Sequence, residues 1–500
     1  MKRLLPCLAF GLVLAILLAS TPHAAKAATR VVTRADDAGP GTLRQALSDA
    51  VPGDTITFSV SIFPPGNPRT IFVRSEALSL TKNNLTIDAS NAGVVLDGRQ
   101  TSADTNGLII WADFCIIRGL TIQNFHGVGG NGIFIKPGAD HNTIGGDRAL
   151  KQGNLIVDND GNGIAIWGAG ASNNSVLGNY IGVDAAGYNP QGNKRNGVAI
   201  WDGASNNTIG GTLAGQRNVI GGNEHNGIWI ARAGTNGNVV IGNYLGTRAD
   251  GMGPIDNKLA GVGIHNGARN NRIGGTTVAE RNLISGNDVN GIDIRDPGTN
   301  FNQVLGNFIG LNQQGDAKIG QYYNGVSITN GASYNMIGNG AVGGRNIISG
   351  NQLNGVLISD TLTLSNTVQG NYISSDSKGA KAIPNGLHGV ELRGQTYDNL
   401  IGGRRSLGQG NLLSGDLNHG LVIHFDAHNN TAAGNLIGPD ATGTYSLGNH
   451  PFGGVDIAEG AHDNTIGGNE TKPVGFLIGI NDLEEVTFRL ARIGMWATQL

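Results

Sequence analysis

The phrase "NGIWIARAGTNGNVVIGNYLG", beginning at Asn226, stands 64 residues after "NGIAIWGAGASNNSVLGNYIG" and 64 before "NGIDIRDPGTNFNQVLGNFIG". A chain that repeats at a fixed period builds one unit many times, and each unit buries its apolar face only against the next. Ile-Gly-Gly, once Ile-Gly-Asn, begins at Ile144, Ile209, Ile273, Ile337, Ile401 and Ile466, in steps of 64 or 65. A shorter motif, Asn-Gly-Ile/Val-x-Ile, divides each period. It starts at residues 131, 162, 196, 226, 260, 290, 324, 354, 388, 419 and 453, and its steps alternate between 30 or 31 and 34. The unit is therefore one coil of about 32 residues, and 64 is a pair of coils.

Each coil carries three short β-branched stretches, in the first phrase "GIWI", "NVVIGN" and "YLG", separated by Gly, Asn and Asp. None is long enough for a helix to be preferred, and the separators are turn residues. The pattern predicts a β-solenoid in which each strand pairs with its counterpart one coil away, at roughly 4.8 Å. In "GIWI" the two isoleucines face the core and Trp229 faces outward. The alternating step has a cause. One coil carries extra residues after "YLG", as in "TRADGMGPIDNKL", and the next carries them after "IGG", as in "TTVAER". Asn179, Asn243, Asn307, Asn371 and Asn435 recur at 64-residue steps and read as stacked amides that satisfy turn backbone.

These repeats resemble the right-handed parallel β-helix proteins of pectin-lyase-like fold, strongly from Asn131 to Gly468 and more loosely from Asp54 to Phe125. The resemblance implies an all-β, single-domain, right-handed parallel β-helix of about 13 coils. Its leader, "VTRADDAGPGTLRQALSDAVPGDTITF", is similar to that of large repetitive bacterial surface proteins of this class. Thr42 and Gln45 have the spacing of a capping box, so "TLRQALSDA" is expected as a short helical cap at the N-terminal end. The expected organisation is a signal peptide over 1–27, an N-terminal cap and first strand over 28–60, repeats over 61–468, and a divergent tail or cap over 469–500.

Glycine is 82 of 500 residues, charged residues are 14%, and the formal net charge of −3 excludes the basic face of a nucleic-acid binder. Lys2 and Arg3, the apolar run from Leu4 to Ala19, and Ala25-Lys26-Ala27 have the form of an export signal, so the mature chain starts near Ala28. No later segment could span a membrane. The expected location is secreted, at the cell surface, or periplasmic. Cys7 lies inside the signal, which leaves Cys115 as the only mature cysteine, expected to be a small buried residue.

The outward positions of the "GIxI" stretches hold the candidate site. Phe134, Trp167, Trp201 and Trp229 fall on four consecutive coils, and an exposed row of rings suits the apolar faces of sugars. These four are the candidate substrate-binding residues, with polysaccharide or a cell-surface glycan as the partner. His265, Asp293 and Arg295 fall on the next two coils and are the candidate catalytic residues. In the polysaccharide lyases of this fold a base abstracts a proton beside a carboxylate. The resemblance would make Arg295 or His265 that base and Asp293 a ligand of calcium, the one cofactor a lyase reading calls for. Against that reading, Asp293 and Arg295 have the spacing of a simple surface ion pair, and stacked aromatics stabilise a sheet without any ligand. The aspartate set and Gly-His-Gly of polygalacturonase-type hydrolases are absent. Asp296-Pro297-Gly298 lacks the histidine of alginate-type epimerases, and Asp184, Asp376 and Asp440 sit too far apart to share an ion. His419, His424 and His428 cluster with Asp426, but spacing alone does not make a metal site. Three functions follow from the sequence: a glycan-contacting repeat protein without evident catalysis, a polysaccharide lyase or glycoside hydrolase, and a structural surface protein or adhesin. Oligomeric state is left open.

Overall fold

The computed structural model describes residues 27–450 and 453–467, with the backbone of 477–478. All but the last residue of the expected signal and most of the 469–500 tail lie outside the described residues. Among the described residues three parallel sheets run from end to end: sheet I with 15 strands, sheet II with 14 and sheet III with 13. Within each sheet every strand pairs with the equivalent strand of the coils before and after. The first phrase supplies Ile228–Ala231 to sheet III, Val239–Val240 to sheet I and Tyr244–Leu245 to sheet II. This is a right-handed parallel β-helix. At roughly 4.8 Å per coil, 13 coils make a rod about 60 Å long.

The two "GIxI" isoleucines stack inward in register. Ile228 pairs with Val198 and Val262, Ile230 with Ile200 and Ile264, and all six are fully buried in one continuous core. Burying such a side chain contributes about 1.5–3 kcal/mol, repeated at every coil. Cys115 belongs to this core, and burial pushes its thiol up to about 11.

Amide ladders fasten the corners. Asn179 Nδ2 donates to Asn218 Oδ1 (3.1 Å), Asn218 to Asn243 (2.9 Å) and Asn243 to Asn282 (3.1 Å), and the ladder continues to Asn435. The 64-residue spacing shows only every second rung; Asn154, Asn218, Asn282, Asn346 and Asn411 are the others. Comparable ladders run through Asn131, through Asn142 and through Asn159. In the first ladder each donating amide also bonds a backbone carbonyl, as Asn243 does with Ile209 O and Ile241 O. The backbone passes so close here that a Cβ on Gly210, at φ 90°, would sit 1.9 Å from Ile241 O.

The N-terminal cap is the helix Leu43–Asp49, which buries Leu43 and Leu47. Thr42 Oγ1 accepts from the Gln45 backbone N–H (3.3 Å), but the Gln45 side chain reaches forward to Asp49 (2.7 Å). Half of the expected box forms. The strand Thr29–Val32 precedes the helix and pairs with Thr55–Phe58, so sheet I begins before the cap.

The loops after "YLG" close as hairpins, for instance through Val183 and Pro190 and through Thr247 and Pro254. They stack on one another two coils apart: Ala249 N bonds Gly187 O (2.9 Å) and Gln313 N bonds Gly251 O (3.1 Å). With the outward residues of sheet II they form a second apolar cluster that includes Val219, Tyr244, Leu283 and Phe308. Asp184 and Asp376 accept from backbone N–H groups of their own hairpins, which accounts for their recurrence without an ion.

Candidate functional site

The sheet III register places the candidate residues side by side. Trp167 pairs with Trp201, Ala199 with Trp229, Gly263 with Asp293, and His265 with Arg295. Phe134 lies 6.0 Å from Trp167 and 6.3 Å from Trp201, ring centre to ring centre, and Trp201 lies 6.4 Å from Trp229. The row is thus continuous. Ala165 and Ala199, also outward, are completely buried, being small enough for the flanking rings to close over them.

The polar edges of two of the indoles, Trp167 and Trp229, are already committed. Trp167 Nε1 donates to Asp202 (2.8 Å), which is held in turn by Arg232 (3.0 Å). Trp229 Nε1 donates to His265 Nδ1 (3.0 Å). What these two offer a partner is ring surface. The row extends one coil beyond the residues read from sequence: Trp111, 54% exposed, is bridged to it by Lys136, whose ammonium lies 5.1 Å from the Trp111 ring centre, 4.0 Å from Phe134 and 5.5 Å from Trp167. Burial pushes the Lys136 pKa down.

His265, Asp293 and Arg295 do come together, with Trp229 as a fourth member. His265 is only 4% exposed, because its ring folds over Gly263, where a Cβ would lie 2.9 Å from it. The indole is a donor only, so Nδ1 accepts and Nε2–H donates to Asp293 Oδ2 (3.1 Å). Both ring nitrogens are engaged, so the base role for His265 requires Trp229 to release Nδ1. Arg295 Nε stands 3.6 Å from Asp293, so the surface ion pair expected from their spacing is secondary to the histidine contact.

A second polar cluster on the same face is absent from the candidates read from sequence. Glu391, 4% exposed, accepts from Asn354 Nδ2 (2.6 Å) and His424 Nε2 (2.7 Å), and Arg393 stands 3.3 Å away. Burial opposes the Glu391 charge, but the His424 hydrogen bond and the charges of Arg393 and His424 outweigh it and hold the carboxyl below its usual range. His388 stacks on His419 at 5.5 Å, and burial pushes it down to about 4. The sequence does carry a signal for this cluster: Asp293-Ile294-Arg295 and Glu391-Leu392-Arg393 are the same acid-x-Arg strand with a histidine on a neighbouring coil. His428 stacks between Tyr397 and His462 rather than joining His424. Among the described residues no group of three His, Cys, Asp or Glu is arranged to hold a metal ion, and no helix is long and apolar enough to cross a membrane.

No protein-family model and no curated protein sequence matches the chain. Solved structures do. It is similar to the Dettilon tailspike protein at 12% identity, over 84% of this chain and 65% of that one, with a TM-score of 0.44. It thus spans just under two thirds of the tailspike's length. It is also similar to the periplasmic alginate epimerase AlgG (13% identity, 84% of this chain and 80% of that one, TM-score 0.36). A third is the catalytic unit of a thermostable GH87 alpha-1,3-glucanase from Streptomyces thermodiastaticus strain HF3-3 (12%, 88% and 69%, 0.36). With three parallel sheets, coil-to-coil register and asparagine ladders at its corners, the chain folds as a right-handed parallel β-helix.

Proposed function

We propose that this is an exported repeat protein that contacts extracellular polysaccharide through the aromatic row of sheet III. One observation carries the reading: Phe134, Trp167, Trp201 and Trp229 form a continuous row of partly exposed rings whose indole N–H groups, at Trp167 and Trp229, are satisfied from within. Rings fixed at their polar edges keep their faces at low entropic cost for the apolar faces of sugars. Replacing Trp167, Trp201 and Trp229 together by alanine is expected to abolish retention in affinity electrophoresis through soluble polysaccharides. Far-ultraviolet circular dichroism should be retained, because each cross-strand aromatic pair stabilises the sheet by only about 0.2–1 kcal/mol. A folded triple variant that binds as before rules the platform out.

A second reading is supported by the contact between Trp229 and His265, which joins the row to Asp293 and Arg295. In it a bound sugar acid would displace the indole edge, His265 or Arg295 would take the proton beside the carboxylate, and the electron pair left behind would form the double bond as the glycosidic oxygen leaves and is protonated from solvent. Asp293 is the residue that would hold calcium, which would supply charge to offset the sugar acid. The chain's own geometry weighs against the last part, since Asp293 is occupied by His265. Release of unsaturated product or new reducing ends, abolished in Arg295→Ala, would establish this reading.

A further inference from the structure

The outer face of sheet II carries a repeated array of arginines over aromatic rings. Arg217 lies over the Tyr244 ring at 4.1 Å, Arg281 over Phe308 at 4.0 Å and Arg345 over Tyr372 at 3.9 Å. Successive members are 64 residues, hence two coils, apart, which is about 9.6 Å along the rod. Each arginine comes from a loop after "IGG" and each ring from a sheet II strand.

The array has the form of a binding site. Arg281 and Arg345 line one cleft of about 350 Å³ with Phe308, Gln313, Gln314 and Ser377. Their Nε atoms are pegged to carbonyls, Arg281 to Gly306 O (3.2 Å) and Arg345 to Gly370 O (3.2 Å), which aims the guanidinium planes. Neither forms an ion pair among the described residues, and no carboxylate lines the cleft, whereas Arg272 one strand away is paired with Glu280 (2.9 Å). Burial weighs against the Arg281 charge without a compensating acid. Gln313 Oε1 accepts from Tyr244 O–H (2.8 Å), which leaves its amide N–H₂ as a donor. Two half-buried guanidinium forks and an amide donor, with no acceptor of opposite charge, suit an oxyanion, which Arg binds through paired N–H groups.

We propose that the cleft between Arg281 and Arg345 on sheet II binds an oxyanion carried on an anionic glycan. Two coils earlier Asp250 stands at the position of Gln314, so the acid-free cleft is particular to this pair. A free ion reaches the cleft only from bulk solution; a polymer that carries many such groups gains by effective concentration at it. The net charge of −3 provides no basic field for nucleic acid, so recognition rests on local forks and hydrogen-bond donors. The site is separate from the aromatic row and stands whether or not that row binds sugar.

The test is titration of the mature protein with dextran sulfate, neutral dextran and inorganic sulfate at low and high salt. Dextran sulfate is expected to bind, to weaken as salt rises, and to bind at least tenfold more weakly to the double variant Arg281→Gln/Arg345→Gln. Neutral dextran should not reproduce this salt-dependent binding, and alanine at Trp167, Trp201 and Trp229 should not change it. Ser377→Glu, which places a carboxylate in the cleft, should weaken binding likewise with an unchanged melting temperature, and it carries the test if the double variant does not fold. Three results overturn the proposal: unchanged polymer binding in the arginine variants, saturation by inorganic sulfate with no polymer binding (an adventitious ion only), or stronger binding of single-stranded DNA of equal charge.

Discussion

Asp416 stands where the ladder elsewhere has an amide, in "SGD" rather than the "SGN" of residues 285–287 and 349–351. It is completely enclosed. Asn385 Nδ2 donates to Ser374 Oγ (2.6 Å) instead of to the next rung, Ser374 Oγ donates to Asp416 Oδ1, and Oδ2 has no hydrogen-bond partner. Burial pushes the Asp416 pKa well above the usual carboxylate range, against the Ser374 bond. A raised folded-state pKa means that the folded chain holds this proton more tightly than the unfolded one. Stability is then fully present below the unfolded value, near 3.9, and falls as pH rises from there towards the folded value. Asp416→Asn is therefore expected to stabilise the protein at neutral pH by roughly 1–3 kcal/mol and to lose that advantage below about pH 4. Urea unfolding of both proteins across this range checks it. The signal in the sequence is one letter, and it acquires meaning only once the rung is known.

At the scale of elements, strands of two to five residues hold because their corners are satisfied. Asn243 makes bonds to Ile209 O, Ile241 O and Asn282, and receives one from Asn218. Asn243→Ala strips these carbonyls of a donor in a site closed to water. A buried unsatisfied group costs about 1–3 kcal/mol, and several are created together. An exposed turn asparagine such as Asn189 should cost far less, and the difference in urea midpoint between the two alanine variants measures the ladder. Elements also decide where the loops go. Tyr244 and Phe308 draw the hairpins onto sheet II, so the aromatic row of sheet III lies away from them. Sequence spacing does not tell whether the hairpins wall the row, because it gives a loop's origin and not its destination.

At the scale of the molecule, the alternation of two loop types makes the coil pair the modular length. Removing residues 226–289 takes out one hairpin and one "IGG" loop and should bring Gln313 over Gly187 as Ala249 was. A shorter, cooperatively unfolding rod is expected. Removing a single coil, residues 226–259, breaks the two-coil hairpin stack and should lower the melting temperature further. Aggregation of the 64-residue deletion beside a folded single-coil deletion would reverse the assignment of the unit.

The sequence alone determined the fold, the period, the three strands of each coil, the inward isoleucines and the two outward columns of sheet III. These follow from local alternation repeated at a fixed spacing, which admits one register. Tertiary structure decided what the outward side chains became. His265 and Glu391 occupy solvent-side positions yet are almost completely buried, because neighbours 28 to 37 residues away in the chain fold over them and bond them. The arginine–aromatic array joins loops to strands 27 residues apart and shows in no short motif. Periodicity fixes which way a side chain starts from the sheet; its final partner depends on the width and tilt of its neighbours, which no repeat length encodes.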